Sequence, residues 1–155
     1  MSKKNTTPNL QLTPNFTLRE LTRSATAQRL AIDNTPSDTV IVNLLCLARN
    51  VLQPLRDHLR QPIVINSGYR CPALNNAVGG VANSQHLTGE AADIRCPDRA
   101  TALSWLVWIN LNLNFDQVLL ETNTFDAIWL HVSCRRNPAH NRHDMILDVR
   151  HHRKG

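Results

Sequence analysis

The stretch SQHLTGEAADI, residues 84–94, contains a histidine, two acidic residues and the start of a predicted strand, and it is the starting point for predicting the fold. Side chains alternate in polarity over residues 90–96, which is typical of a half-buried strand. Because successive strand side chains point to opposite faces, Asp93 faces away from Ala92 and Ile94. The stretch therefore predicts a strand with a carboxylate on one face and core contacts on the other.

A second strand is predicted at residues 127–134, and it has the same division of faces. Its alternation places His131 on the polar face, between two aliphatic neighbours that point the other way. If the two strands are neighbours, the Asp93 carboxylate and the His131 imidazole project from one polar surface. Cys96 and Cys134 point to the opposite face, and we predict that both are buried packing residues.

Three side chains in this region are candidate metal ligands: His86, Asp93 and His131. Two imidazoles and one carboxylate leave the fourth position of a tetrahedral zinc ion open for water, as in catalytic sites. A lone histidine in an apolar strand is more often a hydrogen-bonded core residue, so this spacing alone is weak evidence. Glu90 is close in sequence, but its alternation matches Ala92, and we leave it out of the set.

The segments around these strands predict helices packed on a sheet. Thr17 is placed to cap a short helix with Glu20 three residues later, and Ser37 or Asp38 can cap the next helix. The other predicted elements are a helix at 40–59 that Pro54 kinks or splits, a strand at 63–65, an ordered loop at 71–83, a helix at 99–110 and a strand at 115–121. Helices first and strands later indicate an α+β fold, with N-terminal helices packed on a mainly antiparallel sheet that carries the site.

Composition places the chain among ordinary globular proteins. It has 155 residues, of which 42% are hydrophobic and 19% charged, and this balance excludes a disordered chain. No apolar run in the sequence reaches the roughly 18 residues of a membrane span. The four cysteines are too few for a disulfide-stapled miniprotein and form no C-x-x-C pair, which argues against a structural zinc knuckle.

The chain has a net charge of +5, and most of this excess lies in one segment at the C-terminal end. Residues 135–155 hold six basic and two acidic side chains, whereas residues 1–134 hold eleven basic and ten acidic ones. We therefore divide the chain into a flexible lead-in at 1–15, a domain at 16–134 and a basic C-terminal tail at 135–155. A solvated extension is the simplest interpretation of the tail, and contact with an anionic polymer is the alternative. We expect its histidines to be solvent-exposed: His140, His143, His151 and His152.

Several motifs follow one another in a fixed order: SGYR at 67–70, LN at 74–75, S-x-H-x-x-G-x-A-x-D at 84–93 and W-x-H-V-S at 129–133. Together they resemble the family of zinc D-Ala-D-Ala carboxypeptidases and L-alanyl-D-glutamate endopeptidases, which includes phage endolysins and vancomycin-resistance dipeptidases. FTLREL at 16–21 and FDQV at 115–118 extend the resemblance. It implies a Hedgehog/DD-peptidase-like α+β fold and hydrolysis of a peptide bond in bacterial peptidoglycan.

The resemblance also implies roles for individual residues. The ligands of the family's one zinc ion match three residues here: His86, Asp93 and His131. Arg70 matches the arginine that holds the substrate carboxylate or polarises the scissile carbonyl, and Asn75 and Ser84 match positions that line the substrate cleft. The residue types suit these roles, because a guanidinium offers a fork of donors to a carboxylate and zinc lowers the pKa of bound water to about 7.

The general base departs from the family pattern. Many members carry an acid three positions before the last ligand, where this chain has Ile128. Two replacements are open: Glu121, which ends a predicted strand and matches a glutamate of related small peptidases, and Asp126 in the following turn. We favour Glu121. A carboxylate near the reacting water could pass a proton to the leaving amine and contribute about 10²–10⁴-fold to the rate.

Three hypotheses for the function follow. The leading one is a monomeric zinc metallopeptidase, a carboxypeptidase or endopeptidase, that acts on peptidoglycan stem peptides or cross-links. The alternative is a non-catalytic, zinc-containing cell-wall-binding module, which the missing acid at Ile128 motivates. The third is nucleic-acid binding through the basic tail, and the absence of interleaved aromatic residues in that tail counts against it.

The N-terminal residues bear on the place of action. Lys3 and Lys4 precede the polar run 5–11, so the apolar core of a signal peptide is missing. We therefore expect synthesis in the cytoplasm, no membrane partner and action on the cell wall after another route of release. A phage lysis enzyme and a bacterial prophage remnant would suit this equally well. The basic tail is then expected to attract anionic wall polymers.

Overall fold

The structure is a computed structural model and describes residues 9–151. Residues 1–8 of the expected lead-in and residues 152–155 of the expected tail, His152 among them, lie outside the described residues. None of the helices within 9–151 combines the length and the apolar character that crossing a membrane requires.

Residues 9–151 form six α-helices, seven β-strands and three short turns of other helical types. The helices are α1 (Leu18–Thr22), α2 (Ala25–Arg29), α3 (Asp38–Leu47), α4 (Gln53–Leu59), α5 (Pro72–Ala77) and α6 (Arg99–Asn112). The strands are β1 (Gln11–Thr13), β2 (Phe16–Thr17), β3 (Ile65–Ser67), β4 (Ala91–Cys96), β5 (Gln117–Asn123), β6 (Ile128–Ser133) and β7 (Asp144–His151). A π-helical turn spans Ala48–Leu52, and 3₁₀ turns span Gln85–Thr88 and Pro138–His140.

The main sheet has five strands in the order β3-β4-β6-β5-β7. Every neighbouring pair is antiparallel except β5 and β7, which run parallel. Helices therefore precede and interrupt a mixed, mainly antiparallel sheet, an arrangement compatible with the predicted α+β class. The prediction that the Asp93 and His131 strands are neighbours is confirmed, because β4 and β6 pair with Asp93 directly opposite His131.

One face of the sheet is buried under the helices. Side chains of α1, α3, α6 and the central strands form a single apolar cluster, including Leu18, Leu44, Leu106, Ile94 and Val132, each 0% exposed. Cys96 and Cys134 belong to this cluster, as their strand alternation predicts. Cys46 is half-buried on α3. The opposite face of the sheet is left to the polar side chains that form the site.

The long predicted helix is split just before Pro54. It begins after Ser37, whose hydroxyl accepts a hydrogen bond from Val40 N, and it passes through the π-helical turn 48–52 into α4. Proline has no N–H and its ring crowds the carbonyl four residues earlier, so a wider turn at this point relieves the conflict. The prediction that the regular α-helix is interrupted near Pro54 is confirmed, as a change to a π-helical turn within a continuous helical segment.

Structure begins earlier than the expected lead-in allows. β1 and β2 pair as a small antiparallel sheet around a turn at Pro14 and Asn15, so residues 11–13 are ordered strand rather than flexible chain. Proline presets the backbone angle that such a turn requires. Thr17 then caps α1, as predicted, by accepting a hydrogen bond from Glu20 N at 3.3 Å.

Two other predicted elements need correction. The strand expected at 63–65 begins two residues later, as β3, Ile65–Ser67. Its pairing with β4 is irregular and brings Ser67 opposite Asp93. The segment expected to be an ordered loop contains a helix, α5, which begins at Pro72 in the position where proline is favoured. The first difference places the end of β3, at Ser67, directly opposite Asp93.

The C-terminal segment contains a strand that the sequence did not predict. β7, Asp144–His151, pairs with β5 and is the outer strand of the sheet. Its side chains are mostly exposed on both faces, so the strand has no buried apolar stripe that a periodicity argument could detect. Residues 144–151 are therefore part of the sheet rather than a solvated extension.

Candidate metal centre

His86 is held in the 3₁₀ turn Gln85–Thr88. Ser84 begins this turn, and its hydroxyl accepts a hydrogen bond from His86 N at 3.2 Å. Gly89 ends it at φ 77°, where a side chain would also lie 2.9 Å from Val40 Cγ1 and Val40 O. The turn is thereby fixed at both ends, and its imidazole is 2% exposed.

The tautomer of His86 follows from its partner. Nδ1 lies 2.7 Å from Gly68 O, and since a carbonyl oxygen only accepts, Nδ1 carries the proton. The other ring nitrogen, Nε2, faces Asp93 and lies 3.2 Å from its Oδ1. A ligand imidazole whose other nitrogen donates to a backbone carbonyl is the usual arrangement around a protein-bound metal.

Gly68 can hold His86 only because it has no side chain. A Cβ at this position would lie 2.2 Å from Leu21 O, the carbonyl that also accepts a hydrogen bond from Tyr69 N at 2.8 Å. The chain after β3 therefore packs directly on the end of α1. This contact places the Gly68 carbonyl within hydrogen-bond distance of His86 Nδ1.

Asp93 and His131 complete the cluster from adjacent strands. His131 Nδ1 lies 3.2 Å from Asp93 Oδ1, and the two imidazole rings meet edge to face at 5.1 Å. Burial alone would raise the pKa of Asp93, but the charges and hydrogen bonds of His86 and His131 outweigh it and hold this pKa well below its usual value. The carboxyl group is therefore ionised at neutral pH.

The three residues fit a zinc ion by their chemistry. Within residues 9–151, His86, Asp93 and His131 form the one group of three such side chains whose ligand atoms converge, all within 4.8 Å of one another. Imidazole nitrogens and a carboxylate oxygen are ligands that zinc accepts, and three of them leave one position open. The predicted ligand set is thus brought together by the fold, while its occupancy by zinc remains a prediction.

Arg70 lies beside the turn that carries His86. Its backbone N donates to His86 O at 3.0 Å, and its Nη2 donates to Ser84 Oγ at 3.4 Å. Both side chains are half-buried. Arg70 is therefore held beside the 3₁₀ turn by one backbone contact and one guanidinium contact. Contact between its guanidinium and a substrate stays a prediction.

A family model described as Peptidase M15 matches residues 14–107, more than half of the chain, and the match includes Arg70, His86 and Asp93. The chain belongs to the Peptidase M15 family. The family resemblance seen in the motifs is thus confirmed, and M15 membership supports a hydrolytic enzyme of the metallopeptidase type. A search of curated proteins gave no match.

The M15 match ends before the strands that carry Glu121 and His131, so the placement of these residues comes from the sheet register. Glu121 is opposite Trp129, and Leu119 is opposite His131. Directly paired residues share a face, so Glu121 lies on the same face as His131, one row further along the strands. Its side chain is 8% exposed.

The two other positions considered for the general base, 128 and 126, are less well placed. Ile128 lies on the opposite face from His131 and packs against the apolar cluster, so this position offers no acid to the site. Asp126 is exposed in the turn between β5 and β6, with φ 59°. Of the alternatives left open by the sequence, Glu121 alone shares the buried, polar face of the sheet with the cluster.

Asn75 is inside the structure rather than on an open wall. It is 4% exposed, and its Nδ2 donates to Val81 O at 2.9 Å, which joins α5 to the loop before Ser84. A side chain on Gly80 would lie 2.1 Å from Asn75 Oδ1, so the loop closes tightly here. Contact between Asn75 and a substrate stays a prediction.

Two features of this M15 chain escape sequence reasoning. His151 Nε2 lies 2.7 Å from Glu121 Oε2, and Asp116 is buried among Arg135, Arg142 and Gln85. Both depend on the return of the C-terminal segment to the sheet. Nothing in the local sequence of a basic segment indicates which distant carboxylate a histidine or arginine will contact. These contacts can be inferred only once the pairing of β7 with β5 is known.

Proposed function

We propose that this M15 chain is a zinc-dependent metallopeptidase that hydrolyses a peptide bond of bacterial peptidoglycan, in a stem peptide or a cross-link. The observation that carries the proposal is the convergence of two imidazole nitrogens and a carboxylate oxygen within 4.8 Å on a peptidase-family fold. A zinc ion bound there would supply a Lewis acid that activates water and polarises the scissile carbonyl.

The chain's own residues supply the rest of the chemistry. Glu121 takes a proton at its carboxylate from the attacking water and passes it to the leaving amine, which balances the hydrolysis. Arg70 donates its fork of N–H groups to a substrate carboxylate or to the carbonyl oxygen as charge develops on it. Ser84 holds the guanidinium in place by accepting from Nη2.

The test is digestion of purified peptidoglycan followed by mass spectrometry of the products, which identifies the bond that is cut. We expect cleavage that EDTA abolishes and added zinc restores, and that Glu121→Gln lowers by about 10²–10⁴-fold. Asp126→Asn, in the exposed turn, is the matched control and should keep wild-type activity. Cleavage that survives thorough metal removal contradicts the proposal, and zinc-dependent wall binding without cleavage favours the non-catalytic module.

The C-terminal segment bears on how the enzyme meets the wall. We propose that the protein acts at the cell wall, where anionic polymers attract its basic side chains. Arg135 and Arg142 are already engaged with Asp116, so within 135–151 the exposed Arg136 and Arg150 are left for this contact. Arg136→Gln with Arg150→Gln should weaken binding to whole walls at low salt without changing cleavage of a small peptide; equal losses on both substrates contradict it.

A further inference from the structure

The last strand brings an imidazole to the proposed base. His151 Nε2 lies 2.7 Å from Glu121 Oε2. Within residues 9–151, the Glu121 carboxylate makes no other hydrogen bond or ion pair. A carboxylate that is 8% exposed requires a donor, because an unsatisfied buried acid is costly. His151 meets this requirement, and since a carboxylate oxygen accepts, its Nε2 carries the proton.

An irregular pairing of β5 with β7 selects His151 for this position. Leu119 is opposite Ile146, but Glu121 is opposite Val149, so β7 holds one extra residue between these pairs. The shift places His151 opposite Asn123, on the same face as Glu121. Without the extra residue, Arg150 would stand there. Such bulges re-aim side chains and are frequent next to active sites.

Trp129 fixes the plane of the imidazole. The His151 and Trp129 rings stack at 5.6 Å between centroids, with 24° between their planes. Trp129 is also the residue directly opposite Glu121 on the neighbouring strand. Three strands therefore supply one residue each to a contact set in which an indole supports an imidazole and the imidazole holds a carboxylate.

We propose that His151 is a positioning residue for Glu121. Its Nε2–H binds Oε2, which fixes the carboxylate and leaves Oε1 as the oxygen that exchanges the proton with water and the leaving amine. The inference rests on the proposed function, because it concerns the base of that reaction. It makes the C-terminal strand a working part of the active site, reached by a side chain that lies beyond the family match.

Three variants separate positioning from packing. His151→Phe keeps a ring on Trp129 but removes the donor, and His151→Gln keeps an N–H donor without the ring. His58→Phe is the matched control, because His58 also stacks on a tryptophan, Trp108, at 4.2 Å, and lies outside the proposed site. Each variant is checked for zinc content and for its melting temperature before the kinetics are measured.

We expect His151→Phe to lower kcat about 10–100-fold with KM unchanged, a smaller loss than that of the base itself. His151→Gln should restore most of kcat, and His58→Phe should leave it at the wild-type level. In a Glu121→Gln background, His151→Phe should cause no further loss, because both changes remove the same function. A purely structural His151 would predict losses that simply multiply.

Two outcomes of the activity measurements overturn the inference in distinguishable ways. Full kcat in His151→Phe, with zinc-dependent cleavage intact, overturns the positioning role and leaves the proposed function standing. A zinc-loaded wild-type chain that never cleaves peptidoglycan overturns the proposed function and the inference with it. Nitrogen-detected NMR adds a test that needs no turnover: we expect a slowly exchanging His151 Nε2–H that Glu121→Ala removes, and unchanged His151 spectra in that variant contradict the contact.

Discussion

Asp93 and Asp116 are two carboxylates on either side of the same 3₁₀ turn, and they differ in the kind of partner they have. Asp116 is 0% exposed and accepts from Arg135 Nε at 3.1 Å, from Arg142 Nη2 at 2.8 Å and from Gln85 Nε2 at 2.8 Å. Asp93 is met by two imidazole nitrogens, each at 3.2 Å. The shorter, more numerous contacts belong to Asp116.

Both acids have a lowered pKa, for different reasons. Burial would raise the pKa of Asp116, but hydrogen bonds from Arg142, Gln85 and Arg135 hold it well below its usual value. Guanidinium groups are always protonated and can only donate, so they cannot give this position to a cation. An imidazole can instead lose a proton and offer the freed lone pair to a metal, so the Asp93 cluster can become a ligand set. Asp116 is therefore saturated by its partners and acts as a structural anchor, whereas the partners of Asp93 can also bind a metal.

The anchor and the ligand cluster are physically connected. Gln85 donates to Asp116, and the next residue, His86, contacts Asp93. Arg142 adds a backbone N–H to Asp116 at 2.9 Å, which fastens the C-terminal segment to the same point. The structural carboxylate therefore holds the turn that presents a proposed zinc ligand.

Removing the charge of Asp93, the proposed metal ligand, should have the strongest effect of all. Asp93→Asn should reduce zinc content after dialysis to background and abolish cleavage, because an amide is a poor substitute for a charged oxygen ligand. Zinc is measured by elemental mass spectrometry, and activity by release of peptidoglycan fragments. Asp116→Asn is the control and should retain one zinc ion per chain. Loss of zinc from both variants to the same extent would break the distinction between anchor and cluster.

Asp116→Asn should instead have its effect on folding. Removing the charge leaves two guanidiniums facing a neutral amide, and breaking a buried ion pair in this way costs about 3 kcal/mol, the low end of the range because both arginines are partly exposed. Urea unfolding of the zinc-free protein measures the change. A free energy of unfolding equal to that of the wild type would mean that the Asp116 contacts contribute nothing net.

Much of this arrangement could be predicted from local sequence. Strand alternation correctly placed Asp93 and His131 on one polar surface and Cys96 and Cys134 in the core, because a period of two needs no knowledge of distant partners. The helix ends at Thr17 and Ser37 follow from capping chemistry, which is also local. The ligand cluster was therefore accessible from sequence as soon as two strands were assumed to be neighbours.

The rest depends on contacts between distant segments. His151 and Glu121 are 30 residues apart, and Arg142 and Asp116 are 26 apart. An edge strand such as β7 has no strong apolar alternation, so its parallel pairing with β5 has no local signature. The charge excess that favours a solvated tail is partly the pair of arginines that neutralises Asp116.

Zinc should stabilise the wild type by mass action, and this stabilisation should depend on Asp93 but not on Asp116. At free zinc about 100 times the Kd, binding to the folded chain adds about 2.7 kcal/mol to the free energy of unfolding. Asp116→Asn should gain the same increment from its lower baseline, whereas Asp93→Asn should gain none. Thermal unfolding with and without EDTA measures all three. A gain in Asp93→Asn would place the bound zinc elsewhere on the chain.

The smallest effect is the acid dependence of the anchor. Because the folded pKa of Asp116 lies below its ordinary value of 3.8, its contribution is present above that pH and is lost as the pH falls through the folded pKa. One such group changes the free energy of unfolding by at most about 1.4 kcal/mol per pH unit. The difference in stability between wild type and Asp116→Asn should therefore be constant near neutrality and shrink below about pH 4.

Zinc-free protein is needed for this measurement, since acid also releases metal from its ligands. Asp93 is present in both proteins, so its own titration cancels in the difference and the shrinking gap belongs to Asp116. Urea unfolding at closely spaced pH values between about 2 and 6 would resolve it. A gap that stays constant into acid would mean that Asp116 has the same pKa folded and unfolded. The guanidinium contacts would then not favour the ionised form of Asp116. The two carboxylates would differ in the geometry of their contacts but not in the electrostatic effect of those contacts.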